Sequence, residues 1–300
     1  MRILISGSSG FLGSALVRHL GGAGHQVVRL RRGPMQPAEA PGSDQRFWDP
    51  ATGTLPAPAL AEVEAVLHLG GESIVGRWTP AKKQRLHDSR VGPTRLLAAT
   101  LAGLPQPPQV FLCASAIGYY GDRGEMPLDE QAGAGQGFLA DLCQQWEAAT
   151  SPAAAAGIRT VNLRIGVVLG AGGGALPAML PLFKWGLGGR LGHGRQYWSW
   201  IALEDVLGAI QHLLTTAGLS GPVNLTAPQP VTNRQFTAAL ARALHRPAIF
   251  PAPGWALHLA LGEMADSLLA SQRVLPRKLS ASGYRFQYET LAPALARALG

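Results

Sequence analysis

The sequence predicts an α/β protein, a doubly wound parallel sheet followed by a small, mainly helical C-terminal region. Three observations point there. The chain opens on a short apolar run, MRILIS, that passes through a glycine-rich turn into residues with helical spacing (Phe11 to Leu20). From there to about residue 165, apolar runs of strand length alternate with segments of helical period. Runs such as Ala65–Leu69 (AVLHL) are continuously apolar, as in strands buried on both faces of a parallel sheet.

The opening stretch carries the chemistry. Gly7-Ser8-Ser9-Gly10-Phe11-Leu12-Gly13 has the spacing G-x-x-G-x-x-G between a strand and a helix. Gly7 permits a tight turn, Gly10 lets backbone approach a pyrophosphate, and Gly13 lets the helix sit close on the strand. Free N–H groups and the positive helix end would then face phosphates, with Ser8 and Ser9 as further donors. The alternative is a plain strand-to-helix turn rich in glycine. The second strand, Gln26–Arg31, is followed by no acid before Glu39, although an acidic residue there would hold the ribose hydroxyl of NAD. Arg31 and Arg32 stand there instead, and a guanidinium at that point pairs with a 2′-phosphate. The expected cofactor is therefore NADP(H); the alternative is an exposed basic strand end.

Residues 33 to 60 read as irregular connection, with Phe47 and Trp48 covering a sheet edge. Ala65–Leu69 ends in a second glycine turn, Gly70-Gly71-Glu72-Ser73, and a single helix is expected from Pro80 to Leu104. The strand Pro108–Ala114 runs into Ser115-Ala116-Ile117-Gly118-Tyr119-Tyr120. Hydroxyls at the end of a central strand are candidates for proton transfer, or the tyrosines form a structural turn. A helix (Gly137–Thr150) and a strand (Arg159–Ile165) complete the alternation. The dinucleotide-binding domain is expected over 1–225, with a lid insert around 171–201. A small C-terminal domain is expected over 245–300, with a helix from Trp255 to Leu269, a basic loop from Arg273 to Lys278, and a last helix from Thr290.

Composition narrows the classes. Hydrophobic residues make up 47% and charged residues 15%, as in a globular chain. No apolar run reaches the length of a membrane span, and Met1 leads straight into a strand without a secretory leader pattern. Cys113 and Cys143, the only cysteines, make neither a disulfide framework nor a metal site. The expected setting is the cytoplasm. The net charge of +8 is mostly arginine, but no basic stripe with interleaved aromatics is present. Expected partners are a small-molecule substrate, with no nucleic acid and no membrane, in a monomer or homodimer. His68, inside a strand, reads as a core histidine.

The stretches GSSGFLG, HLGGESIVGRW, SRVGPTRLL, ASAIGYYGD, GFLADLCQQWE, LRIGVVLGAGGGALP, GLGGRLGHGRQYWSWI and SQRVLPRKL run from end to end of the chain. With them the chain resembles an extended short-chain dehydrogenase/reductase of the nucleoside-diphosphate-sugar epimerase type. More closely, it resembles the epimerase family protein branch, whose members carry a C-terminal domain of unknown function. The resemblance implies an NADP(H)-binding Rossmann domain of strand order 3-2-1-4-5-6 with additional strands. It implies that Gly7, Ser8, Ser9, Gly10, Phe11 and Leu12 hold the pyrophosphate and that Arg31 and Arg32 hold the adenosine phosphate. Leu69, Gly70 and Gly71 would lie along the cofactor, and Arg90 would reach it from a helix.

The chain also departs from the wider family, whose active members use a Tyr and, four residues later, a Lys. Here Phe138 or Leu139 falls at the Tyr position and Leu142 or Cys143 at the Lys position. Two functions remain. One is an oxidoreductase or epimerase acting on a small, nucleotide-sugar-like substrate, with Tyr119 or Tyr120 as acid/base and Ser115 assisting. Arg195, Tyr197 and Trp198, with Glu72 and Arg77, would shape its pocket. The other is an NADP(H)-binding regulatory or sensor module without turnover.

Overall fold

The computed structural model describes residues 1–33 and 44–300. Glu39, the first acid after the second strand, lies outside the described residues. Seven parallel strands form one sheet: β1 (Arg2–Ser6), β2 (Gln26–Arg32), β3 (Gln45–Trp48), β4 (Ala65–His68), β5 (Val110–Ala116), β6 (Arg159–Ile165) and β7 (Gly221–Leu225). Their spatial order is β3-β2-β1-β4-β5-β6-β7, a Rossmann-like arrangement. The chain winds outward from β1, then crosses back to β4 on the other side of β1. In such sheets ligands bind at the carboxyl ends of the strands beside that reversal.

Successive strand residues point to opposite faces, which is why the strands read as continuous apolar runs. Ile3, Ile5, Leu67 and Leu112 pack with Leu16 of α1 (Phe11–Gly22) and Ile210 of α7 (Leu203–Thr215). Leu4, Val66 and Phe111 pack on the other face with Leu97 and Leu101 of α3 (Val91–Ala102). The remaining helices are α2 (Pro80–Asp88), α4 (Phe138–Ala148), α5 (Ser151–Ala155), α6 (Leu176–Lys184), α8 (Asn233–Ala243), α9 (Gly254–Leu261), α10 (Met264–Leu269), α11 (Arg277–Ala281) and α12 (Leu291–Leu299).

Four expectations are corrected. The region 33–60 is not wholly irregular, because Gln45–Trp48 pairs with Arg29–Arg32 as an edge strand. The single helix expected over Pro80–Leu104 is two, α2 and α3, broken at Ser89–Arg90. Pro93 lacks an N–H and its ring crowds the carbonyl four residues back, so one helix does not pass through it. The helix expected over Trp255–Leu269 is also two, separated at Gly262, whose φ of +61° breaks helical continuity. The basic loop over 273–278 contains a short strand, Arg273–Val274, paired with Pro127–Leu128, and the start of α11.

The C-terminal residues are woven into the body. Leu279 lies in the main core, Leu291 and Leu295 pack with Trp200 and Phe236, and Met264 packs with Trp78 and Leu86. Asp205 fixes the segment between α11 and α12. Its buried carboxylate accepts from the backbone N–H groups of Gln287 (2.7 Å) and Tyr288 (3.0 Å) and from the Tyr284 hydroxyl (3.1 Å). Burial raises the Asp205 pKa despite these bonds.

Candidate functional site

A cleft of about 330 Å³ opens at the reversal point. Its walls are Ser6–Gly10 after β1, Leu30–Arg32 at the end of β2, Trp48 of β3, and Leu69–Gly71 after β4. Arg31 and Arg32 are both exposed at its edge, and no acidic side chain lines it among the described residues. The Arg31 Nη1 donates to Gln45 Oε1 at 3.0 Å, steadying one arm of the pair.

The three glycines of the turn serve different needs. Gly7 has a φ of +71°, and a Cβ on it would lie 2.8 Å from the Gly70 nitrogen. A Cβ on Gly13 would lie 2.1 Å from the Gly7 carbonyl oxygen, so the helix sits against the turn only with glycine there. Gly10 is different: its φ of −74° and ψ of 175° suit any residue, and a Cβ would stand 3.4 Å from its nearest neighbour, Gly7 O. The fold itself tolerates a side chain at Gly10, and a ligand lying on the turn would not. Gly10 also gives α1 no side-chain cap, leaving first-turn N–H groups for an outside acceptor. A phosphate-bearing dinucleotide fits this cradle.

The residues behind the cleft hold its shape. Phe11 turns away from it, and its ring lies against Gly170, Gly173 and Gly174, where a Cβ on Gly173 would approach to 2.0 Å. This ring explains Gly173, whereas Gly172 and Gly174 take φ of +77° and +72°. A second cavity, of about 350 Å³, shares Ser9 and Gly10 and is bounded by Phe11, Arg18 and Leu203. Leu12 and Leu69 pack partly into the main core. Arg90 is buried behind the loop after β4, donating to Glu72 O (2.9 Å) and Leu86 O (3.1 Å), its guanidinium 5.0 Å from the Trp146 ring centre. It does not line the cleft; it braces Gly71, whose Cβ would meet its Cζ at 3.1 Å. Ser6, at the base of the cleft wall, pairs with the buried His68, with Oγ to Nδ1 at 2.5 Å. Desolvation lowers the His68 pKa to about 4, so the ring is neutral near pH 7.

The hydroxyls at the end of β5 are not equivalent. Ser115 is buried and donates to Glu147 Oε1 at 2.7 Å. Tyr120 has no exposed surface; its hydroxyl donates to Asn224 Oδ1 (2.8 Å) and accepts from Arg164 Nη1 (3.0 Å). Burial pushes its pKa up to about 12. An acid/base role does not fit a phenol sealed among protein partners, and Tyr120 is placed as a structural residue. Tyr119 differs, because it is partly exposed and its hydroxyl has no hydrogen-bond partner among the described residues. The Arg164 guanidinium stacks on its ring, 3.4 Å from the centre.

This network contains residues the sequence reading passed over. Arg164 is held by Glu147 through Nε–Oε1 and Nη2–Oε2 contacts of 2.8 Å, with side chains 3% and 12% exposed. Burial alone would lower the Arg164 pKa; its bonds to Glu147 raise it. Glu130, also buried, accepts from the N–H groups of Asn224 (3.1 Å) and Lys278 (3.2 Å), tying the C-terminal segment to the sheet. One signal was available: an arginine inside the apolar strand RTVNLRI needs a buried counter-charge.

The expected pocket-shaping residues divide. Glu72 pairs with Lys82 at 2.7 Å, which lowers its pKa, and Arg77 and Arg195 are exposed. Trp198 is buried against Phe236 and donates to Leu268 O at 3.2 Å, so it is a core residue. Tyr197 is partly exposed and pairs with Thr232 across a short antiparallel strand.

Residues 3–225 match the NAD dependent epimerase/dehydratase family. The chain belongs to that family. Residues 252–298 match a domain of unknown function. An epimerase family protein of Mycobacterium bovis, Mb2239, is 46% identical over 296 residues, covering 98% of this chain and 96% of its own length. A crystal structure of human epimerase family protein SDR39U1 with NADPH superposes with a TM-score of 0.88 at 34% identity, covering 99% of each chain. A UDP-glucuronic acid 4-epimerase from Bacillus cereus shares the fold at 17% identity, with a TM-score of 0.76 over 99% of this chain and 98% of its own.

In this epimerase family chain, α4 carries apolar side chains where the Tyr and Lys were sought. Phe138 stacks edge-on against Trp78, with ring centres 5.4 Å apart. Leu139 fills the space beside Gly118, and Leu142 is buried with Leu86 and Met264. Cys143 is buried, and desolvation pushes its thiol up to about 12. None of the four offers a proton near neutral pH.

Proposed function

We propose that this chain binds NADP(H) in the cleft at the sheet reversal and acts as an NADP(H)-dependent oxidoreductase or epimerase on a small substrate. The observation that carries the reading is the placement of Arg31 and Arg32 at the edge of the cleft floored by the glycine turn. Ser8, Ser9, Gly10 and the first turn of α1 would hold the pyrophosphate, with Leu69, Gly70 and Gly71 along the opposite wall. The arginine pair would hold a 2′-phosphate, which NAD lacks. The NADPH in the human relative's structure supports the same choice. When bound, the cofactor supplies a hydride donor or acceptor. Tyr119 is the proton-transfer candidate, since Ser115 and Tyr120 are committed to internal partners. Arg164 holds the Tyr119 ring in place from beneath.

A second reading is favoured by α4. With Leu139 half-buried against Gly118 and Cys143 buried, the chain would bind NADP(H) without turnover, as a regulatory or sensor module. Consumption of NADPH with a panel of carbonyl compounds separates the two. Turnover that is lost in Tyr119→Phe supports the enzyme; saturable NADPH binding with no turnover supports the module.

A further inference from the structure

Among the described residues, ten large hydrophobic side chains are exposed, and all but Met126 lie on three stretches: 74–75, 182–187 and 249–259. These stretches adjoin. The Phe250 N–H donates to Gly188 O (3.3 Å), Arg246 Nε to Lys184 O (3.1 Å), and Trp78 N–H to Leu261 O (3.3 Å). α9, GWALHLAL, is apolar apart from His258 yet buries none of its residues. Apolar surface gathered in one region of a folded chain marks an interaction site.

The charge around it is one-sided. Between Glu147 and Glu263 the only acidic residues are Glu204 and Asp205. Asp205 is buried and Glu204 pairs with Arg297 at 2.8 Å. The nearby acids Glu72, Glu263 and Asp266 are engaged by Lys82, Lys83 and His258. Arg77, Lys184, Arg190, Arg195 and Arg246 belong to these stretches or their flanks, and none has an ion-pair partner among the described residues.

The pattern selects an occupant. A second copy would set one basic rim against another. Single-stranded nucleic acid is held by stacking on aromatic rings, but six of the nine side chains are aliphatic. A small apolar ligand needs a concave wall, whereas Trp185, Trp255 and Leu259 project, at 82%, 73% and 71% exposure. Projecting tryptophans and aliphatic tips ringed by cations match a bilayer with acidic headgroups. We propose that this surface docks the protein peripherally on anionic phospholipid membranes. No helix among the described residues is long and apolar enough to cross one, so the contact is interfacial. The expectation of no membrane partner rested on the absence of a span, which does not address this mode.

The test is co-sedimentation of the full chain with phosphatidylcholine vesicles, with and without phosphatidylglycerol. Binding is expected only where phosphatidylglycerol is present, weakening as salt screens the exposed charges. Tryptophan emission should shift to the blue on binding. Trp185→Ala with Trp255→Ala should lower partitioning about tenfold or more, and Lys184→Gln with Arg190→Gln about thirtyfold, at roughly 1 kcal/mol per cation. NADPH affinity and melting temperature should hold in both, which separates this surface from the cofactor cleft. No binding to either vesicle, or equal binding to both, would overturn the proposal. So would a dimer abolished by the tryptophan changes, or oligonucleotide binding that tracks them.

Discussion

The guanidinium of Arg164 lies 3.4 Å from the centre of the Tyr119 ring, at the carboxyl end of the central strands. The ring is therefore held while its hydroxyl has no partner among the described residues. Tyr119→Phe keeps the stack and removes only the oxygen. It should cut NADPH consumption with a responsive carbonyl substrate by about a hundredfold or more. NADPH affinity should be unchanged. Full activity in Tyr119→Phe would remove this residue from the chemistry.

The other side of Arg164 predicts stability. Tyr120→Phe leaves the Asn224 Oδ1 and one guanidinium N–H without a partner and should cost about 1–3 kcal/mol. Arg164→Met strands the Glu147 carboxylate in the interior and should cost about 3–5 kcal/mol. Denaturant midpoints at constant m-value measure both. A Tyr120→Phe protein as stable as the parent would show that the network carries little.

Much of this was legible in the sequence, and the reasons for the rest are physical. Strand β1, the glycine turn and α1 were readable because each local preference agreed: apolar run, positive-φ glycine, helical period. The helix break at Ser89–Arg90 was marked by Pro93, but helical periodicity on both sides masked it. Strand β3 was not readable, because four residues at a sheet edge behind a Pro- and Gly-rich stretch carry little period. In the site, the turn and the Arg31–Arg32 pair depend on neighbours in sequence. The Ser115–Glu147–Arg164–Tyr120–Asn224 network joins residues up to 104 positions apart, so no local spacing reveals it.

Gly10 and Gly13 should separate fold from ligand. Gly13→Ala drives a Cβ to 2.1 Å from Gly7 O and should destabilise or misfold the protein. Gly10→Ala has allowed backbone angles and room in the fold, so its stability should stay within about 1 kcal/mol of the parent. Its NADPH affinity should fall at least about tenfold, as the methyl group occupies the ligand's approach. Thermal melts beside fluorescence titration read the two effects. Unchanged NADPH affinity in Gly10→Ala would mean that no ligand lies on the turn.

His68 predicts a pH dependence. Its folded pKa is lowered from 6.5 to about 4 by burial. Between those values the unfolded chain binds the proton and the folded chain does not, so stability rises with pH across the window. It is fully present above 6.5 and lost as pH falls toward 4, by about 3 kcal/mol in all. His68→Gln should flatten that slope in denaturant titrations from pH 4 to 7, and an unchanged slope would assign it to other groups.

The central claim is that a 2′-phosphate-bearing dinucleotide rests on the opening glycine turn and is gripped by Arg31 and Arg32. Parallel calorimetric titrations with NADPH and NADH test it most directly. The account predicts saturable NADPH binding, NADH weaker by about tenfold or more, and loss of that preference in Arg31→Ala with Arg32→Ala. Equal affinity for the two nucleotides, or no heat with NADPH, would contradict it.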